Sequence, residues 1–198
     1  MDEPLGALDK NLRDEMQDEI RQFHRQVGAT IIYVTHDQHE AAALADRVAI
    51  LNHGRLEQID TPRSLYEHPR NAFVAGFLGE ANIFAISDAA AEGQGVRLAT
   101  REGLALCAAG CLNTGNEAVA CVRPESISIA AERNGHANSF AGIVTDAVFS
   151  TGSVRYRVEV EGRTLLVRTG SDRRGNTFPA GSPVFVGWDR EDTLVIPR

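Results

Sequence analysis

Leu12, Met16, Ile20, Phe23 and Val27 recur at intervals of three and four, which places them on one stripe of a helix. Asp9 stands at an N-cap position and Gly28 at a C-cap, so the pattern predicts a helix over 10–27. Ala29 to Thr35 (ATIIYVT) is nearly all apolar and β-branched, the pattern of a strand buried on both faces of a parallel sheet. A short helix is expected over Gln38 to Ala45 and a strand over Arg47 to Asn52. The turn Asn52-His53-Gly54-Arg55 then leads back into Leu56 to Ile59. Thr61-Pro62 opens another helix, with Thr as cap and Pro at the first position, and a further short helix covers Ala72 to Phe77.

Beyond about Asn82 the helical spacing fades and short β-type runs alternate with Gly, Asn and Asp turns. Strands are expected at Gly95–Ala99, Leu104–Ala108, Ala118–Val122, Ser126–Ala130, Phe140–Phe149, Val154–Val160, Arg163–Arg168, Pro183–Trp188 and Thr193–Ile196. Val154 to Val160 (VRYRVEV) alternates apolar and polar like a half-exposed antiparallel strand. Ala89–Gly95 reads as a small-residue loop. This many short strands predicts a small barrel or sandwich.

Composition sharpens the division. The 198 residues carry 27 acidic and 20 basic side chains, but residues 1–82 hold 14 acids and 8 bases, and residues 83–198 hold 13 and 12. The second part is nearly neutral, which argues against a polyanion-binding module even though it carries Phe84, Phe140, Phe149, Tyr156, Phe178, Phe185 and Trp188. No apolar run reaches the roughly 20 residues that span a bilayer. A cytosolic location is expected, with any membrane attachment made through a partner. Cys107, Cys111 and Cys121 lack a nearby histidine to complete a ligand set and read as small buried or half-buried thiols. Lys10 is the only lysine, and the chain contains no GxxxxGK[ST] loop to cradle phosphates and no LSGGQ-like segment.

Two places carry candidate chemistry. Phosphoryl transfer to water needs a metal to neutralise charge and a group to orient the water, and the adjacent carboxylates Asp2 and Glu3 can divide those tasks. Alone, such a pair is a solvated face; followed by Pro4-Leu5-Gly6-Ala7-Leu8-Asp9, it acquires a context. His36 closes the apolar run 29–35, at the strand end where open α/β sheets bind ligands, and could donate a hydrogen bond to a terminal phosphate. His24, His39, His53, His68 and His136 lack such a context and read as surface residues.

Asp2 to Asp9, then Tyr33-Val34-Thr35-His36-Asp37-Gln38, Glu40-Ala41 and Ala45-Asp46-Arg47, resemble the back half of an ABC importer ATPase. The resemblance continues through Gly54, Gln58, Pro62, Leu65-Tyr66 and Pro69. Phe73 to Asn82 (FVAGFLGEAN) is similar to the joint at which such subunits pass into a TOBE domain, and Val122-Arg123-Pro124-Glu125 matches a recurrent TOBE segment. The resemblance implies an α/β remnant of a P-loop NTPase (ABC ATPase) domain over 1–82, followed by an all-β OB-like (TOBE) barrel over 83–198.

By the same resemblance, Asp2 matches the Walker B aspartate that holds Mg2+ through water, and Glu3 the glutamate that polarises the attacking water. Asp9 matches the D-loop aspartate, which works across a homodimer interface, and His36 the switch histidine that contacts the γ-phosphate of ATP. The implied partners are transmembrane permease subunits and a second copy of the ATPase subunit, with no nucleic acid. The implied location is the cytoplasmic, inner face of the membrane, held there through the permease. The 76–82 segment looks most like the polyamine (spermidine/putrescine) importers; ferric-iron and sugar importers share much of it. The alternatives are a non-catalytic regulatory or binding fragment built on the TOBE module, and a stand-alone ATPase with another phosphate loop.

The missing phosphate loop and signature make unaided hydrolysis an unexpected activity for this chain. The resemblance also implies that Met1 is an internal methionine of a longer protein, which the DNA upstream of Met1 would test. Residues 1–82 are therefore expected to fold poorly alone and residues 83–198 to fold independently.

Overall fold

The computed structural model describes residues 1–6, 8–93, 95–110, 118–171 and 177–198. The chain divides into two compact units: Met1–Arg70 with Phe77–Gly79, and Asn71–Gly76 with Glu80–Arg198. Cys111, and Ala7 within the Asp2–Asp9 motif, lie outside the described residues.

In the first unit, α1 spans Lys10–Val27 with the expected caps: Asp9 accepts from the Leu12 N–H, and Gly28 closes the helix in the left-handed region at φ 66°. None of its residues is buried; Leu12, Met16, Phe23 and Val27 stay exposed. Residues 29–35 make one bridge, Val34 parallel to Asp2, rather than the strand their composition predicts. Apolar, β-branched residues favour extended backbone, whereas a strand exists only where its edges find partners.

α2 (Gln38–Leu44) follows, then the hairpin β1 (Val48–Asn52) and β2 (Arg55–Asp60). His53 at φ 46° and Gly54 at φ 76° give that hairpin a turn with both central residues left-handed, which suits the twist of the two strands. α3 (Pro62–Glu67) is capped by the Thr61 hydroxyl. Leu5, Ile50, Leu65 and Pro69 are the buried apolar side chains of this unit among the described residues.

The second unit begins with α4 (Ala72–Phe77), of which Ala72–Gly76 belong here. Ten strands follow: β3 (Asn82–Glu92), β4 (Gly95–Thr100), β5 (Ala105–Ala109), β6 (Ala118–Val122), β7 (Ser128–Ala130), β8 (Asn138–Ser150), β9 (Ser153–Val160), β10 (Arg163–Gly170), β11 (Pro183–Trp188) and β12 (Leu194–Pro197). They form two antiparallel five-stranded sheets, ordered β10-β9-β8-β11-β7 and β12-β6-β3-β4-β5. A 3₁₀ turn, Pro124–Ser126, takes the start of the run expected to be a strand over 126–130. The expected loop at 89–95 is mostly strand. Ala89 to Glu92 extend β3 and pair with Gly95 to Leu98, so cross-strand pairing overrides the weak β-propensity of alanine.

Both sheets curl around one core that includes Phe84, Leu98, Leu106, Val122, Tyr156, Val158, Leu165, Val186 and Trp188. The curl has local causes. β3 slips register between Ile86 and Asp88, and β8 between Val144 and Asp146, each a bulge that bends its strand. At each slip a hydroxyl donates to a partner-strand carbonyl: Ser87 Oγ to Ala99 at 3.0 Å and Thr145 Oγ1 to Arg157 at 3.1 Å. At Gly142 an added Cβ would fall 2.7 Å from the Glu159 carbonyl oxygen, so only glycine lets β8 cross there.

β6 is buried along its whole length. Ala120 and Val122 face the main core, whereas Val119 and Cys121 meet Ala75, Ile196 and the start of α4 in a second cluster. Burial pushes the Cys121 thiol pKa up, as expected of an inert core cysteine; Cys107 is half-buried.

Candidate functional site

The first three residues lie beside the extended segment 32–34. The Met1 amino group donates to the Ile32 carbonyl, the Val34 N–H to Met1 and the Glu3 N–H to Val34. This pairing carries Glu3 to the end of the segment, where His36 emerges. Glu3 Oε1 and His36 Nδ1 stand 2.8 Å apart across a separation of 33 residues, so the two candidate positions meet.

Glu3 adopts φ 41°, a left-handed conformation that costs a residue with a Cβ on the order of 1–3 kcal/mol, and such conformations cluster at functional sites. The hydrogen bond to Glu3, then its charge, raise the His36 pKa above 6.5. When protonated, the ring donates from Nδ1 to Glu3 and leaves Nε2 toward solvent.

Asp2 is exposed, and its carboxylate makes no hydrogen bond or ion pair among the described residues. Asp9 uses its carboxylate to cap α1. The structure therefore joins Glu3 to His36, places Asp2 next to Glu3 in the chain and commits Asp9 to a helix cap. Among the described residues no group of three His, Cys, Asp or Glu side chains is placed to hold a metal.

A buried network fixes the turn that carries His36. Glu40, in the first turn of α2, is almost fully buried and accepts from the Thr35 hydroxyl at 2.8 Å and the Tyr33 hydroxyl at 3.1 Å. The Thr35 hydroxyl also accepts from the Asp37 N–H, and Asp37 caps α2 by accepting from the amides of His39 and Glu40. Arg13, on α1, completes the network: its Nε lies 3.6 Å from Glu40, its Nη1 donates to Asp37 at 3.3 Å and its Nη2 donates to the Leu8 carbonyl at 3.0 Å. One guanidinium thus ties the segment after the carboxylate pair to the turn after the histidine. Burial, then the bond to Glu40, push the Tyr33 phenol up to about 12.

Sequence reading missed Arg13, which is one polar residue among many on an amphipathic helix. The signal for Glu40 was a glutamate three residues after an Asp cap. Of the histidines read as surface residues, His39, His53 and His68 are exposed, and His24 is half-buried. His136 is half-buried and held 2.9 Å from Asp189.

A family model described as the TOBE domain matches residues 120–196. The spermidine/putrescine import ATP-binding protein of Rubrobacter xylanophilus is 39% identical over 201 residues, covering 99% of this chain and 52% of that protein. Its counterpart in Trichormus variabilis is 36% identical, covering 99% and 53%. The uncharacterized ABC transporter ATP-binding protein YdcT of Escherichia coli K12 is 36% identical, covering 96% and 51%. The chain spans about half the length of the curated relatives it matches. Over its whole length the chain is therefore similar to about half of the spermidine/putrescine import ATP-binding proteins, their C-terminal portion, and it carries the TOBE-domain match within that span.

Proposed function

We propose that the chain is part of the ATP-binding subunit of an ABC-type importer, with polyamines as the cargo class, and that its first unit carries the hydrolytic edge of the nucleotide site. The contact between Glu3 and His36 at 2.8 Å supports this reading most, because it unites a water-activating carboxylate with a phosphate-contacting imidazole. Magnesium–ATP at this edge would supply the charge neutralisation that phosphoryl transfer to water requires. The residues present fit part of that group. Asp2 is an exposed hard-oxygen donor suited to a hydrated Mg2+, and nothing in the sequence cradles a triphosphate.

In this role Asp2 would hold the hydrated metal, Glu3 would orient the attacking water, His36 would contact the terminal phosphate through Nε2 and Asp9 would work at a homodimer interface. Residues 1–82 form the ATPase part and 83–198 the TOBE part. The intact subunit dimerises, sits on the inner face of the membrane through permease subunits and binds no nucleic acid.

ATP turnover tests the reading. The chain alone is expected to show none. Combined with the remaining portion of a relative, it is expected to hydrolyse ATP, and Glu3→Gln and His36→Ala should each lower the rate by roughly 10²-fold or more. Turnover indifferent to both substitutions would overturn the assignment.

A second reading, a non-catalytic regulatory module, draws on a separate observation: the TOBE match falls entirely in the unit with the large continuous core. A normal turnover rate on removal of residues 83–198 from the reconstituted subunit, with altered control of transport, would favour it.

A further inference from the structure

Arg13 lies in the first turn of α1, and its guanidinium reaches two segments that are far apart in the chain. Nη2 donates to the Leu8 carbonyl at 3.0 Å, Nη1 donates to Asp37 Oδ2 at 3.3 Å, and Nε lies 3.6 Å from Glu40 Oε1. On the first segment, the Gly6 N–H donates to the Glu3 carbonyl and the Leu8 N–H to the Leu5 carbonyl. Those two bonds lead from Glu3 toward the carbonyl that Arg13 holds. On the second segment, His36 lies between two held neighbours. Thr35 donates its hydroxyl to Glu40 and Asp37 accepts from Arg13, while the His36 side chain is mostly exposed. The Glu40 side chain is 3% exposed, and among the described residues its ion pair is with Arg13. A buried carboxylate that loses its cation is strongly destabilised, so the turn around His36 depends on this guanidinium.

We propose that Arg13 is the positioning residue of the Glu3–His36 pair. It holds the stretch that carries Glu3 and the turn that carries His36 on one planar group, and so sets how closely the two side chains approach. Charge alone does not do this. A lysine supplies a point charge on a flexible stem, whereas the guanidinium aims separate N–H groups at Leu8 and Asp37 while its Nε faces Glu40. The positioning stands on these contacts; its consequence for ATP turnover rests on the function proposed above.

Arg13→Lys tests the role, because it keeps the charge and the helix propensity and removes the fork. In the chain alone, amide hydrogen exchange should quicken roughly tenfold or more at Gly6 and Leu8 and also at Asp37, His39 and Glu40. Leu12, whose amide donates to the Asp9 cap, should keep its rate. In the chain combined with the portion of the Rubrobacter xylanophilus relative outside the match, kcat should fall roughly tenfold or more with KM for ATP changed by less than about twofold. Faster exchange on one segment only, or on neither, overturns the role. So does loss of protection at Leu12, which makes Arg13 a general prop of α1. Turnover in the unsubstituted pair that Arg13→Lys leaves intact overturns the positioning alone. Absence of turnover in the unsubstituted pair, with the exchange changes present, leaves the positioning standing and counts against the ATPase reading instead.

Discussion

The two units hold similar kinds of side chain and use them differently. In the second, two sheets bent by bulges at Ser87 and Thr145 bring Phe84, Leu98, Tyr156, Leu165 and Trp188 into one core, and β6 is covered on both faces. In the first, α1 carries a regular apolar stripe with no fully buried side chain, Ile32 and Val34 are exposed, and fully buried apolar side chains are few. Apolar patterning specifies which face a segment wants covered; it does not supply the cover. The first unit keeps its order locally, through caps, one hairpin and the polar network around Glu40, whereas the second keeps it through long-range packing.

The contrast can be broken first at Trp188. Its ring is fully buried against Phe84 and Phe140, and its indole N–H donates to Thr193 Oγ1 at 2.9 Å. Trp188→Ala should cost about 3–5 kcal/mol in denaturant unfolding of the second unit. Phe23→Ala, on the exposed stripe of α1, should change stability by less than about 0.5 kcal/mol. Equal costs would erase the distinction between the units.

Next comes Glu40→Gln. It weakens a buried acceptor that serves Thr35 and Tyr33 and removes the charge 3.6 Å from Arg13, and should cost roughly 1–3 kcal/mol. The loss should appear as disorder around 33–44 in NMR spectra, while the second unit melts unchanged. A smaller effect is expected at Glu80, which accepts from Arg155 at 3.1 Å and Arg168 at 2.6 Å. These side chains are partly exposed, so Glu80→Gln should cost about 1 kcal/mol or less and become neutral in high salt.

The smallest effect is a titration. The His36 pKa is raised in the folded chain, so the stabilisation from its pair with Glu3 is fully present below 6.5 and fades as pH rises through the folded value. The His36 ring protons should therefore titrate above 6.5 in NMR, and Glu3→Gln should bring the midpoint down. An unchanged midpoint in that variant would separate the two side chains in solution.

Legibility in the sequence follows the same division. Asp9, Gly28 and the 12/16/20/23/27 spacing place α1 at its observed limits, because caps and periodicity are local signals. Thr61-Pro62 marks the start of α3 in the same way. Residues 29–35 mislead because β-branched composition reports a preference for extended backbone, while a strand depends on a neighbour that composition does not contain. Ala89–Glu92 mislead in the opposite direction, since β4 recruits alanines that propensity leaves as loop. At the site, Glu3 and His36 each carry a local motif, but their approach to 2.8 Å depends on the pairing of residues 1–3 with 32–34. Arg13 has no motif and is identified only by what it touches.

Native-state amide hydrogen exchange on the intact chain tests this contrast most directly, because it reads both units in one sample. The account predicts that β6, β9 and β11 exchange only through global unfolding, while α1 and residues 29–35 exchange through local opening far below that free energy. Protection of α1 and 29–35 equal to that of β9 in the isolated chain would contradict it.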